Sequence, residues 1–320
     1  MSRPDSLAKV EVTPQLCKLV RTPMTDPSQP PDWQLPMLAI AEGDGDFLPL
    51  GPKHYAFFAE ERPQLLVTFE DAASLRDRDD KLPEHYALAR ARGWSMLTIL
   101  CEGETWWRDP AVFRYFDRLA DDGFLEDFDR VVFYGAGPAG YAAAAYSITA
   151  PQAELVLIAP RATLDPGLAG WDERHRIARR INFRGRYGYA PDMTESASQV
   201  WLIHDPLHQP DAMHAALFQR PWVTPLNARY TAEGTEDTLR EMKVLDRIIE
   251  AAMEGKMSAD RFSWLWRARR SNGSYLRAVL AAARLSGHPK REIMICRSVT
   301  SRLNAPRFAR RLAELTGETV

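Results

Sequence analysis

Cysteine is scarce in this 320-residue chain. Cys17, Cys101 and Cys296 stand at unrelated spacings, which excludes a disulfide scaffold and a zinc ribbon. Long apolar runs are lacking too. No stretch approaches the roughly 20 residues that span a bilayer, and the first residues, MSRPDSLAKVEVT, have no apolar core of a secretion signal. There is no internal repeat and no low-complexity segment. What is present is 45% apolar and 26% charged residues, enough for a real core and too much for wholesale disorder. The length suits one large domain or two ordinary ones. The expectation is a soluble, cytoplasmic, mixed α/β protein.

The net charge of −2 hides an asymmetry. Residues 256–320 hold 14 Lys or Arg against 4 Asp or Glu, and the remaining 255 residues hold 27 against 39. Such a basic tail either docks on the acidic body or meets an anionic partner. No helix-turn-helix or RRM signature supports nucleic acid as that partner.

Residues 1–36 carry Pro23, Pro27, Pro30, Pro31 and Pro36 and read as a poorly ordered arm. GDGDFLPLG (43–51) reads as turn-rich. Strands are expected at 65–70, from Trp94 onward, at 131–134, 154–160 and 199–206, and at 222–230 with an interruption at Pro225. Between the first two, DAASLRDRDDKLPEH reads as a charged loop. Asp109 and Pro110 open a helix with Val112, Phe116 and Leu119 on one side. TEDTLREMKVLDRIIEAAMEG reads as one long amphipathic helix. Beyond residue 258, RFSWLWRARR, SYLRAVLAAARL and APRFARRLAEL read as further helices, with Trp264, Trp266, Leu276, Val279 and Leu280 available to bury a face. Strands alternating with helices predict a mostly parallel sheet covered on both sides.

The loud motif is Tyr134-Gly135-Ala136-Gly137-Pro138-Ala139-Gly140, after a strand and opening an alanine-rich helix. Gly135, Gly137 and Gly140 fit G-x-G-x-x-G, in which a helix N-terminus faces a pyrophosphate. The acidic residue that should end the next strand is missing, since that strand ends Ile158-Ala159-Pro160-Arg161. Arg161 would instead suit a 2′-phosphate.

The stretch FYGAGPAGYAAAAYS also resembles the nucleophile turn of α/β-hydrolases, G-x-S-x-G followed by a helix. The resemblance extends weakly over about residues 60–250. It implies a three-layer α/β fold with the nucleophile at Gly137, which has no side chain, and with Ala139 at a glycine position. It places the acid at Asp205, after QVWLIH, and the histidine after the next strand, where Arg229 and Tyr230 stand. The histidine downstream of these, His288, lies in the basic tail. GAGPAGYAAAAYS, RGRYGYAPDM and DAMHAALF together resemble bacterial proteins labelled phosphoadenosine phosphosulfate reductase. The S-G-G-K-D-S loop and the E-C-G-x-H cysteine of that enzyme are both absent, and Cys296 lies in IMICRSV without its partners.

Other polar residues carry two readings each. His204, His208 and His214 stand with Asp205 and Asp211, either as metal ligands or, as favoured by the six-residue gap between His208 and His214, as solvated or capping groups. Arg184 and Arg186, beside Phe183, Tyr187 and Tyr189, belong either to an anion-binding lid or to a solvated loop paired with local acids. Trp106 and Trp107 either shape a pocket or fill the core edge. Cys101 reads as structural.

The expected architecture is therefore a proline-rich arm (1–36), a mostly parallel three-layer α/β-hydrolase-like domain (37–255) and a basic helical C-terminal extension (256–320). Two functional classes stay open. One is a hydrolase-like protein without a Ser-His-Asp triad, acting in ligand binding or as an accessory protein. The other is an adenine-nucleotide-dependent enzyme that seats phosphates on the turn, with the Arg184–Arg186 loop closing over them. Candidate ligand residues are Gly135, Ala136, Gly137, Pro138, Gly140, Arg184, Arg186 and Asp205, with Asp205 the candidate catalytic acid. No metal is expected, and the sequence requires no cofactor, with an adenine nucleotide the candidate.

Overall fold

The computed structural model describes residues 30–61 and 63–317. Its centre is one sheet built from β1 (Gly45–Pro49), β2 (His54–Ala59), β3 (Gln64–Asp71), β4 (Ser95–Cys101), β5 (Arg130–Ala136), β6 (Glu154–Ile158), β7 (Gln199–His204) and β8 (Val223–Asn227). The strands hydrogen-bond in the order β1-β2-β4-β3-β5-β6-β7-β8. From β4 to β8 all pairings are parallel, and β2 runs antiparallel to both β1 and β4.

Both faces of the sheet are buried, as the near-continuous apolar strands require. Along β3, Leu65, Val67 and Phe69 enter one core, and Leu66 enters the other. The first core is closed by α4 (Pro110–Asp121) and α5 (Gly137–Tyr146), where Phe116 stacks on Tyr146 at 4.2 Å between ring centres. The second is closed by α1 (Leu35–Asp44), α2 (Ala72–Arg76), α3 (Tyr86–Arg92), α8 (Thr235–Glu241) and α9 (Leu245–Met253). The predicted three-layer α/β arrangement is thus the observed one.

Asp109 caps α4 as expected, its carboxylate accepting the Ala111 N–H at 2.7 Å with Pro110 in the first turn. Other segments differ from the sequence reading. Of the expected arm, residues 1–29 lie outside the described residues, while Trp33 is buried just before α1. The segment read as turns contains β1, and the charged loop holds the short α2. The single long helix is two, α8 and α9, because Lys243 takes a φ of +54° that no helix continues through. Pro225 sits inside β8, which tolerates it as the outermost strand of its side.

The tail adds α10 (Ala259–Leu265), α11 (Gly273–Leu285), α12 (Pro289–Thr300) and α13 (Pro306–Thr316). Phe262, Leu265 and Trp266 enter the body's second core, and Leu276, Cys296, Val299 and Phe308 form a small cluster of their own. Trp264, expected to be buried, is half exposed between the guanidinium groups of Arg247 and Arg261. The tail meets the body through apolar packing. Its Arg311 pairs within the tail, with Glu292 and Glu314.

Candidate functional site

The chain leaves β3 for β4 on one side and leaves β5 for β6 on the other. The carboxyl ends of β3 and β5 therefore flank the topological switch point, where open α/β sheets take ligands. A cavity of about 240 Å³ opens there, lined by residues 68–71 of β3, by Tyr134, Gly135 and Ala136 of β5, and by Glu84, His85, Glu236 and Arg240. Tyr134 donates its hydroxyl to Glu236 at 2.6 Å. Arg240 donates to Glu236 (3.0 Å), Glu84 (2.7 Å) and Asp237 (2.6 Å), and Arg78 donates to Glu70 (2.7 Å). Burial, with the Glu236 carboxylate facing it, pushes the Tyr134 hydroxyl well above its ordinary pKa. Burial also raises Glu236, against the hydrogen bond from Tyr134. For Glu84 burial works upward, but the Arg240 hydrogen bond together with the charges of His85, Arg240 and Arg78 outweighs it and holds the carboxyl below its usual range.

The glycine turn borders this crevice. Strand β5 runs through Gly135 to Ala136, and α5 starts at Gly137 itself. A Cβ on Gly135 would stand 2.3 Å from the Ala139 carbonyl oxygen, and one on Gly140 would press on Pro160 at 3.1 Å. Gly135 is required by packing, whereas a side chain at Gly140 needs its neighbours to give by a few tenths of an ångström. Gly137 differs: its φ is +53°, and a Cβ there would meet nothing within 4 Å. Pro138 removes one N–H from the helix start.

Asp205 follows β7 and is buried. One carboxylate oxygen accepts the Leu207 N–H and the other the Ala232 N–H, both at 2.9 Å. The second contact pins the loop after β8, where Tyr230 and Ala232 both have positive φ. Asp205 thus holds backbone, and the loop it holds offers Arg229 and Tyr230.

Beside it lies a buried ionic network. Arg161 donates to Asp211 (3.0 Å) and to the Ala159 carbonyl (2.6 Å). Arg174 grips Asp172 with two nitrogens (2.9 and 2.7 Å) and reaches Asp211 (2.7 Å). His214 accepts the Ala162 N–H at Nδ1 (3.1 Å), so its proton sits on Nε2 and is donated to Asp172 (2.9 Å). His208 meets Asp211 at 2.9 Å. This corrects the reading of the histidines as solvated or capping, since His214 is fully shielded. Arg161 is engaged by carboxylates and is not offered to a phosphate. Among the described residues no group of His, Cys, Asp and Glu has the arrangement of a metal site.

Arg184 and Arg186 border a different cavity of about 730 Å³, with Phe183, Tyr187 and Tyr189. Each is paired with an acid, Arg184 with Asp165 (3.1 Å) and Arg186 with Asp117 (2.5 Å), as the solvated-loop reading expects. The glycine turn lines the first cavity and the arginines the second, so the structure does not bring them together. Trp106 and Trp107 are core residues, and burial pushes the Cys101 thiol up to about 12. The crevice residues missed by sequence reading, Glu70, Glu84, His85, Tyr134 and Glu236, come from four separate segments. The legible signal was Glu70-Asp71 at a strand's carboxyl end.

The strand order, the reversed β2, the sharp turn after β5 and the acid after β7 define an α/β-hydrolase-like fold. No protein-family model matches the chain, and no curated protein matches it. Similar solved structures include Est1E from Butyrivibrio proteoclasticus, at 11% identity and a TM-score of 0.41 over 66% of this chain and 100% of that one. An esterase of Pyrobaculum calidifontis is similar at 14% and 0.42 over 77% and 99%. MPT51 of Mycobacterium tuberculosis is similar at 15% and 0.41 over 66% and 99%. At such values the fold rests on the strand order and directions, and the chemistry on none of these proteins. No helix among the described residues is long and apolar enough to cross a membrane.

Proposed function

We propose that this α/β-hydrolase-like protein performs no acyl transfer and acts as a cytoplasmic ligand-binding or accessory pseudoenzyme. The observation that carries this reading is Gly137: the residue at the nucleophile position of the turn has no side chain, in a spot with room for one. Support comes from the other two triad positions. Asp205 gives both oxygens to backbone N–H groups, and Arg229 and Tyr230 stand where a base would. Without nucleophile and base no acyl-enzyme forms. On this reading residues 37–255 are the binding domain and 256–320 a basic helical extension, with neither nucleic acid nor membrane as partner. The test is incubation with a fluorophosphonate probe and with p-nitrophenyl acetate. The expected result is neither labelling nor turnover, and covalent labelling of any hydroxyl overturns the proposal.

The alternative is an adenine-nucleotide-dependent enzyme. Its support is the exposure of Arg184 and Arg186, 73% and 60%, beside aromatic rings in the larger cavity. Against it, the glycine turn lines an acidic crevice, which repels phosphate. The reductase form of this alternative also needs a reactive cysteine, whereas Cys296 is buried and burial raises its thiol pKa. A thermal-shift panel of NADPH, FAD, 3′-phosphoadenosine 5′-phosphosulfate and coenzyme A separates the readings. A rise with one nucleotide that is lost in Arg184→Ala favours the enzyme.

A further inference from the structure

We propose that the crevice between β3 and β5 binds a small organic cation carrying a primary amine or guanidine group, seated against Glu236 within reach of His85. The proposal deepens the binding-protein reading and rests on it.

Two independent observations carry it. The first is charge. Glu70, Asp71, Glu84, Glu236 and Asp237 line one small cavity, against Arg78, Arg240 and the imidazole of His85 among the described residues. That excess of carboxylate repels an anion and attracts a cation, more strongly in a crevice than on open surface because its walls focus the field.

The second is an unpartnered buried ring nitrogen. His85 also lines the cavity, its side chain is 3% exposed, and its Nε2 has no hydrogen-bond partner among the described residues. Nδ1 faces the Asp246 carboxylate at 3.7 Å, and the ring stands edge-on to Tyr134. A neutral ring that keeps its proton on Nδ1, toward Asp246, would present a lone pair at Nε2. A buried lone pair calls for a donor. Tyr134, beside it, has committed its hydroxyl to Glu236. An ammonium or guanidinium group supplies both what the charge and what the lone pair require, since it is cationic and carries only donors. A cavity of about 240 Å³ limits the ligand to a small molecule.

The experiment is isothermal titration calorimetry on the full chain with putrescine and agmatine, and with 1,4-butanediol as the neutral isostere. Expected are saturable binding of the amines, no binding of the diol, and weakening with added salt. His85→Phe, which keeps the ring and removes the lone pair, and Glu236→Gln should each weaken amine binding about tenfold. Asp237→Asn, at the exposed rim, should weaken it a few-fold and keeps the test open if a buried variant does not fold. Absence of amine binding, equal binding of the diol, or amine binding unchanged in Asp237→Asn and either buried variant overturns the proposal. Fluorophosphonate labelling of the same samples reads the parent proposal separately. Labelling with intact amine binding sinks only the pseudoenzyme reading. No amine binding with no labelling sinks only this inference.

Discussion

His214 donates to Asp172 at 2.9 Å, and both side chains are shut off from solvent. The bond ties the helix Gln209–Leu217 to the long segment between β6 and β7, with Arg161 and Arg174 neutralising the acids around it. Removing one member of such a pair strands the rest without compensation. Asp172→Ala should therefore destabilise the fold by about 3–5 kcal/mol. Urea unfolding followed by tryptophan fluorescence checks this, and a loss below 1 kcal/mol would show that the network relaxes around the gap.

Buried histidines, His214 of this network among them, set the acid limb of stability. Burial lowers the pKa of His214, His204 and His54, so the folded protein refuses protons that the unfolded chain accepts below pH about 6.5. Stability should fall as pH drops through that point. Burial works to raise Asp172, but hydrogen bonds from His214 and Arg174 outweigh it and hold the carboxyl far below the usual range. Its contribution is complete above pH about 4 and is lost as the pH falls further. Two successive declines are expected in the urea midpoint between pH 7.5 and 3. A flat profile from 7 to 5 contradicts the histidine assignment.

At the turn, Gly135 and Gly137 should respond differently to substitution. Gly135→Ala drives a methyl into backbone and should leave little folded protein. Gly137→Ser has space and meets only the positive φ, a cost of about 1–2 kcal/mol. On the proposed pseudoenzyme reading the serine variant should fold and still fail to hydrolyse p-nitrophenyl acetate, because Arg229 and Tyr230 stand where the fold would place a base. Measurable turnover would point to a base outside the post-β8 loop.

Phe116 stacks on Tyr146, whose hydroxyl donates to the Trp107 carbonyl under a fully buried helix face. Phe116→Ala should cost about 3–5 kcal/mol, readable as a lowered thermal midpoint.

Cys101 should be silent toward thiol reagents. Burial raises its pKa to about 12, leaving almost no thiolate at neutral pH. In a Cys17→Ser background, Ellman's reagent should react only after unfolding, since Cys296 is buried as well. Prompt reaction of the native protein would contradict this.

The sheet was legible where strands are fully buried and apolar, as at 65–70 and 131–134, because such runs have few other uses. The helix start at Asp109-Pro110 was legible because capping is local chemistry. β2 was not, since HYAFFA has no turn residue close on both sides to frame it. The break at Lys243 was invisible because one dihedral angle interrupts an otherwise continuous apolar pattern. The crevice escaped for a different reason. Asp205 and the glycine turn are visible in one stretch each, whereas Glu70, His85, Tyr134 and Glu236 meet only through strand order. The arginines of the 184–186 loop attracted attention by composition, and their pairing with Asp165 and Asp117 depends on partners about 20 and 70 positions away.

The three glycines of the turn also differ in how freely they can drift. Position 135 is walled in by backbone, so inheritance has no alternative there, and position 140 is pressed by Pro160 and admits a side chain only where its neighbours give. Position 137 answers only to the sign of one angle, which asparagine and aspartate also accept. Among descendants of one ancestor, 135 would stay glycine while 137 wanders. The turn would keep the outline of a catalytic or cofactor motif for as long as the fold survives, independent of whether any chemistry is selected there.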